Sequence, residues 1–316
     1  METNNYVTAK SMRHPNFFIV GAPKCGTSTI DTLLGKHPDI FMAPKEPHYF
    51  ATDMEGQNGR SVRVTEQSDY EEKFANASSE QIVGETSPWY LRSTEAAENI
   101  YEYNPGAKIL AILRDPVDMI QSLHQMNVVN TTEDCLELEE ALQKEQYRKN
   151  GNHFPPNAWL KWDLLYREAA SFSDQVSRYE ALFPSSQVKV ILFEELLANK
   201  DAVVKKICNF LNIEKEVQLS MVHRNKAHDV RNLGVRRLVR SSDVVGKMID
   251  KIPAPVRSAM GDLISIFSGS VEYDRDPHSS AANKLRSDLA AEVRLLDDKL
   301  PCDLYEWWSF DRPSEN

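Results

Sequence analysis

Short runs of β-branched and aromatic residues recur along the chain, and most are followed by a stretch with helical spacing. Phe17-Phe18-Ile19-Val20, bounded by Gly21, reads as a buried strand. A helix starts near Gly26, where Ile30, Leu33 and Leu34 keep a helical spacing until His37-Pro38 stops it. Ile40-Phe41-Met42 follows as a short strand, and residues 51–80, polar and mixed, read as loop and short helix. Gln81-Ile82-Val83-Gly84 predicts a strand, Glu85-Thr86-Ser87-Pro88 a turn, and residues 93–103 a helix. The run from Lys108 to Leu113 is almost wholly apolar, which suits a central parallel strand covered on both faces. Pro116 then fits the first turn of a helix reaching about Val129. Residues 131–157 carry an acidic run and the loop Asn150 to Pro156, with the character of an insertion. A helix over 158–182, a strand over 188–193 and a helix over 201–211 come next, and the chain is helical from 234 to Trp307-Trp308. The repeated β-α order predicts an α/β fold, a parallel sheet flanked by helices with a mostly helical C-terminal third. We read residues 1–316 as one domain, with 1–15 as a flexible N-terminal segment and no internal repeat.

Composition narrows the function classes. Thirty-seven Lys and Arg against 47 Asp and Glu give a net charge of −10, so the chain as a whole repels nucleic acid and anionic membranes, and any anion site must be local. Cys25, Cys135, Cys208 and Cys302 stand far apart with no CxxC pair, which suggests neither zinc nor disulfides and fits a reducing compartment. The N-terminus is polar, and no stretch approaches the ~20 apolar residues of a membrane span. The expectation is a cytoplasmic protein, although a Golgi enzyme without its anchor would read the same way.

The first strand runs straight into Gly21-Ala22-Pro23-Lys24-Cys25-Gly26-Thr27-Ser28-Thr29, a glycine-bounded loop that opens a helix. Unpaired N–H groups at a helix start, the positive end of its dipole and close approach at glycine together make a phosphate cradle. Against the nucleoside-triphosphate pattern G-x-x-x-x-G-K-S/T, the glycines keep their spacing, but Thr27 replaces the lysine and a lysine stands instead at Lys24. The sheet is therefore P-loop-like rather than a standard P-loop. The strand 108–113 ends in Arg114-Asp115-Pro116, where a P-loop NTPase has a carboxylate for Mg²⁺. Arg114, with Ser122 two turns into the helix, offers donors to a further phosphate; its competing role is a structural pair with Asp115 or Asp118. Two anion sites together imply a nucleotide with phosphates at two places.

These segments resemble the 3′-phosphoadenosine 5′-phosphosulfate (PAPS)-dependent sulfotransferase family. Pro23 to Ser28 is similar to its 5′-phosphosulfate loop, and Arg114 through Ser122 to its 3′-phosphate motif. Lys45-Glu46-Pro47-His48-Tyr49-Phe50 resembles the K-E-P-H-F-F segment of the carbohydrate and heparan sulfate branch, and Gly84 to Tyr90 a further segment of that branch. The resemblance implies an enzyme that transfers a sulfuryl group from PAPS to a hydroxyl, releases 3′-phosphoadenosine 5′-phosphate and needs no metal. It implies cofactor contacts from Lys24, Cys25, Gly26, Thr27, Ser28, Thr29, Arg114 and Ser122, and from Arg231 in a late basic segment spanning His223 to Arg240.

Such a transfer needs positive charge at the leaving oxygen and a base for the acceptor hydroxyl. Lys24 fits the first role and Glu46 the second; an ion pair with Lys45 is the structural alternative for Glu46. His48 orients Glu46, contacts acceptor or is itself the base, and His124 reads as structural or cleft lining. Trp89 and Tyr90 stand between acceptor wall and core. Two other classes fit the same loop: a small-molecule kinase using ATP and Mg²⁺, against which Lys24 and Arg114 argue, and a non-catalytic nucleotide-binding protein, which would not need Glu46. The acceptor stays open among carbohydrate, lipid, carrier-bound intermediate and small metabolite.

Overall fold

A computed structural model describes residues 13–44, 46–57, 61–78, 80–214 and 278–312. Five strands, β1 (Phe17–Gly21), β2 (Ile40–Met42), β3 (Ile82–Thr86), β4 (Lys108–Leu113) and β5 (Val188–Leu192), form one parallel sheet in the order β2-β3-β1-β4-β5. β1 is central: Phe17 is in register with Gly84 on one side and Lys108 on the other. All five residues of β1 are buried, which explains a strand with no polar alternation. Gly84 permits the close packing of β3, since a Cβ there would lie 2.8 Å from Phe17 Cδ1 and 2.9 Å from Met42 Sδ.

Helices α1 (Thr27–Leu34), α2 (Gln67–Glu72), α3 (Ala96–Tyr103), α4 (Pro116–Val129), α5 (Leu138–Lys149), α6 (Tyr166–Ala169), α7 (Phe172–Glu180), α8 (Phe193–Ala198) and α9 (Lys200–Phe210) accompany the sheet. Two more described helices, α10 (Ser280–Asp297) and α11 (Leu304–Trp308), follow near the C-terminus. Their residues Leu285, Leu289, Val293 and Trp308 join the same buried apolar cluster as β1 and β4. The predicted α/β class and parallel sheet are therefore observed, and the described part of the C-terminal region is helical.

Three local expectations change. The acidic run at 131–157 contains α5, whose Glu139 and Glu140 sit in the first turn and Arg148 and Lys149 in the last, matching the helix dipole. β3 continues through Glu85 and Thr86 instead of turning, because Glu85 is buried among three hydroxyl donors. The stretch 158–182 is not one helix but a 3₁₀ turn (Lys161–Leu164), α6 and α7. Arg92, Asn127 and Arg148 take the carbonyls of Trp162, Asp163 and Leu164, which a continuous helix would bond internally.

Candidate active site

Parallel pairing brings the exits of β1, β3 and β4 to one edge of the sheet. Ala22 N–H donates to Ile112 at 2.7 Å, Ser87 N–H to Ile19 at 3.0 Å and Leu91 N–H to Val20 at 2.7 Å, stitching the three exits together. In the first loop Lys24 and Gly26 adopt φ 63° and 85°. Gly26 is required twice: by its left-handed backbone, and because a Cβ would lie 2.7 Å from Phe193 Cδ2. It caps α1, whose first N–H groups have no acceptor within the helix. Thr27 is buried, Ser28 exposed and Thr29 in between. Cys25 is wholly buried; burial pushes its thiol far above the ordinary range, so it packs rather than reacts.

The Phe193 ring that closes on Gly26 also lies under Arg114, 5.0 Å from Cζ. One aromatic side chain thus sets the first loop and the β4 exit side by side. Arg114 is 14% exposed and donates to Asp118 at 2.9 Å, so the structural pair foreseen as its alternative exists. Its Nε is nevertheless buried without a partner, a donor left for an anion. Asp115 caps α4 by accepting from Val117 and Asp118, and its carboxyl meets Arg286 of α10 at 3.2 Å. Arg286 donates to the Trp308 carbonyl at 2.8 Å, while Glu194 accepts from Asp115 N–H at 3.0 Å and from Trp308 Nε1 at 3.2 Å. The terminal aromatic helix is thereby tied to the start of α4. Ser122 is buried one turn before Met126, whose sulfur lies 3.7 Å from Lys24 Nζ; the i,i+4 spacing puts Ser122 on the α4 face that meets the loop.

Glu46 and His48 come from the loop after β2. Nε2 of His48 lies 3.9 Å from Glu46 Oε2. The Glu46 side chain stays 46% exposed and reachable. Loss of water around it still raises its carboxyl above the usual range; Asp31 of α1 adds to the rise and Lys24 opposes it. His48 is buried with φ 48°, and burial pushes its imidazole down to about 4, so it is neutral at neutral pH and forms no ion pair with Glu46. Its Nε2 has no partner. The His48 main-chain N–H donates to Ser87 Oγ at 3.0 Å, and Ser87 donates to Glu85 at 2.8 Å. Glu85 also accepts from Tyr70 at 2.8 Å and Tyr90 at 3.0 Å, and burial pushes its carboxyl up to about 7 against those donors.

The candidates Lys24 to Thr29, Glu46, His48, Arg114 and Ser122 therefore gather around the edge where β1, β3 and β4 end. Arg231, the rest of the basic segment 223–240 and Lys45 lie outside the described residues. His124 is structural: it is buried, with Nε2 3.0 Å from the Cys135 carbonyl and its ring edge-on to Tyr166. Trp89 and Tyr90 are core residues, although Arg92 lies over the Trp89 ring. Phe193, Glu85 and Asp31 were not singled out from the sequence. Glu85 stands inside the quoted Gly84 to Tyr90 segment, and Phe193 ends an apolar run, so only their tertiary contacts set them apart.

Residues 15–217 match the sulfotransferase family, and the chain belongs to it. It is 24% identical over 205 residues to human heparan sulfate glucosamine 3-O-sulfotransferase 5, covering 64% of this chain and 55% of that protein. To human carbohydrate sulfotransferase 15 it is 22% identical over 309 residues, covering 79% of this chain and 53% of that one. The chain spans about half the length of these curated relatives. A crystal structure of a sulfotransferase from Alicyclobacillus acidocaldarius superposes with a TM-score of 0.67 at 27% identity, covering 93% of this chain and 99% of that one. Among the described residues no helix is long and apolar enough to cross a membrane.

Proposed function

We propose that this protein transfers the sulfuryl group of PAPS to a hydroxyl of its acceptor, without a metal ion. The observation that carries the reading is the buried, unpartnered Nε of Arg114 beside the glycine-bent loop, both held against Phe193. Two anion-receiving places on one sheet edge suit a nucleotide bearing phosphates at its 3′ and 5′ positions. In this reading the main chain of Cys25 and Gly26 and the hydroxyls of Thr27, Ser28 and Thr29 hold the 5′ end. Arg114 and Ser122 hold the 3′-phosphate, with Arg231 added from the segment outside the described residues.

PAPS supplies the sulfuryl group and leaves as the 3′,5′-bisphosphate. Glu46 takes the proton of the acceptor hydroxyl as the new S–O bond forms, and Lys24 neutralises the oxygen on which charge develops as the old S–O bond breaks. Glu46 is preferred to His48 because its carboxyl is reachable and raised, whereas the imidazole is buried and a weaker base. The relatives' names support a hydroxyl acceptor. We keep residues 1–316 as one transferase domain in a reducing, cytoplasmic compartment, consistent with four unpaired cysteines.

Titration calorimetry in EDTA tests the cofactor. 3′-Phosphoadenosine 5′-phosphate binds and raises the unfolding temperature, while ATP does so less. Tighter binding of ATP with Mg²⁺ than of the bisphosphate makes the protein a kinase instead.

A further inference from the structure

Two main-chain N–H groups of the loop that carries Glu46 end on hydroxyls rather than on carbonyls. His48 N–H donates to Ser87 Oγ at 3.0 Å, and Phe50 N–H donates to Tyr90 Oη at 3.2 Å. Each hydroxyl in turn spends its hydrogen on Glu85: Ser87 donates to Oε2 at 2.8 Å and Tyr90 to Oε1 at 3.0 Å. Tyr70 of α2 also donates to Oε1, at 2.8 Å, and its ring stacks on that of Tyr49 at 4.4 Å. Glu85 is fully buried in β3. Besides Tyr70 and Tyr90, the ionisable groups that reach it are Tyr103 of α3, Tyr179 of α7 and the cation Lys73 at the end of α2.

Counting hydrogens decides which form of Glu85 this arrangement needs. The ion accepts from all three hydroxyls and carries no hydrogen of its own. Oε1 already receives two hydrogens, so an added proton goes to Oε2, beside Ser87. Ser87 Oγ must then accept from Glu85 as well as from His48 N–H, and its own hydrogen leaves the anion. In the ionised state the chain from loop N–H to hydroxyl to carboxylate is charge-assisted, and each link polarises the next; in the neutral state that support is lost. His48 has φ 48°, a left-handed backbone that a residue with a side chain holds only under constraint, and a weaker Ser87 link lets it relax.

Resting on the sulfotransferase reading for the role of Glu46, we propose that Glu85 is a positioning residue: its ionised carboxylate, through Ser87 and Tyr90, latches the loop that bears Glu46, and a proton on it loosens that latch.

Hydrogen exchange followed by mass spectrometry on peptides covering residues 46–51 reads the latch directly. Corrected for the intrinsic pH dependence of exchange, protection in the wild type falls about tenfold from about pH 8 to about pH 6, as lost charge assistance to one hydrogen bond predicts. The midpoint lies at about 7, where burial holds the Glu85 carboxyl against its three donors. Glu85→Gln exchanges at the loosened rate at both pH values, while the peptides of β1 and β4 stay protected and 3′-phosphoadenosine 5′-phosphate binds normally. Should Glu85→Gln fail to fold, Tyr70→Phe keeps the ring, removes one donor to the anion and moves the midpoint upward. Asp31→Asn, which acts on the Glu46 carboxyl, leaves the midpoint in place. Wild-type protection that does not change with pH, a Glu85→Gln loop as protected as the wild type, or a midpoint that follows Asp31→Asn overturns the proposal. A wild type that does not bind the bisphosphate refutes the sulfotransferase reading alone, because exchange reads the latch without it.

Discussion

The main-chain N–H of His48 donates to the Ser87 hydroxyl at 3.0 Å, which fastens the loop bearing Glu46 to the end of β3. Ser87 is in turn oriented by Glu85, so a buried carboxylate with three hydroxyl donors governs where Glu46 stands. Ser87→Ala leaves a buried N–H without an acceptor and removes one donor from Glu85. We expect a loss of about 1–3 kcal/mol in denaturant unfolding and a lower kcat. Affinity for the bisphosphate stays normal in calorimetry, because Ser87 lies on the Glu46 side of the site. Ser87→Thr keeps the hydroxyl and restores turnover; a Thr variant as slow as the Ala variant would show that the hydrogen bond is not what positions the loop.

Phe193 links Gly26 and Arg114, the two proposed anion sites, and substitutions on either side of it separate them. Gly26→Ala forces a left-handed backbone on alanine and drives its Cβ into the ring, so binding of the bisphosphate is lost. Arg114→Ala keeps the loop but removes the charged donor. Affinity falls about tenfold to a hundredfold, the effect of one hydrogen bond to a charged group. Calorimetry on both variants checks this, and unchanged affinity in Arg114→Ala would put the 3′-phosphate elsewhere.

The strands and the two anion motifs were legible because each rests on local pattern. An apolar run such as Lys108–Leu113 announces a central strand, and Gly26 and Arg114 announce themselves by position after one. Contacts distant in sequence were not legible. The break of 158–182 into three pieces depends on Arg92, Asn127 and Arg148 reaching over from other elements. α5 was hidden by its charges, which read only as an acidic run until the i,i+4 pair of Glu140 and Lys144 and the terminal placement of its acids and bases are seen together.

Acid should destabilise the fold through two buried groups. Burial alone would raise Glu133, but the hydrogen bonds and charge of Arg148 outweigh it and pull the carboxyl down to about 2. A folded pKa below the unfolded value of about 4.3 gives stability that is present above about 4.3 and lost as pH falls toward 2. His48, pushed down to about 4, loses its contribution earlier, as pH falls from about 6.5 to 4. Carboxyls raised by burial, Glu85 at about 7 and Asp115 at about 6, hold their protons more tightly in the fold and oppose the His48 effect above about pH 4.3, so the fall in denaturant unfolding is expected between about pH 4.3 and 3. In Arg148→Met the buried Glu133 is left unpaired; the variant is less stable by about 3–5 kcal/mol at pH 7, and the gap narrows as acid protonates the carboxyl. A gap independent of pH would assign the loss to packing instead.

Glu46→Gln isolates the proton transfer, because the amide keeps the shape of the side chain and removes its capacity to accept a proton. Turnover should fall about 10²–10⁴-fold while the bisphosphate binds normally. The wild-type rate should also fall on acidification, with a midpoint above the ordinary carboxylate range, since burial and Asp31 raise the Glu46 carboxyl against Lys24. Asp31→Asn removes one of those raising charges and shifts the midpoint down. His48 contributes no such limb near neutrality, because its imidazole is held at about 4. Should Glu46→Gln keep near-normal turnover on a labelled acceptor while His48→Ala abolishes it, the base is His48, and the partnerless Nε2 is the atom that takes the proton.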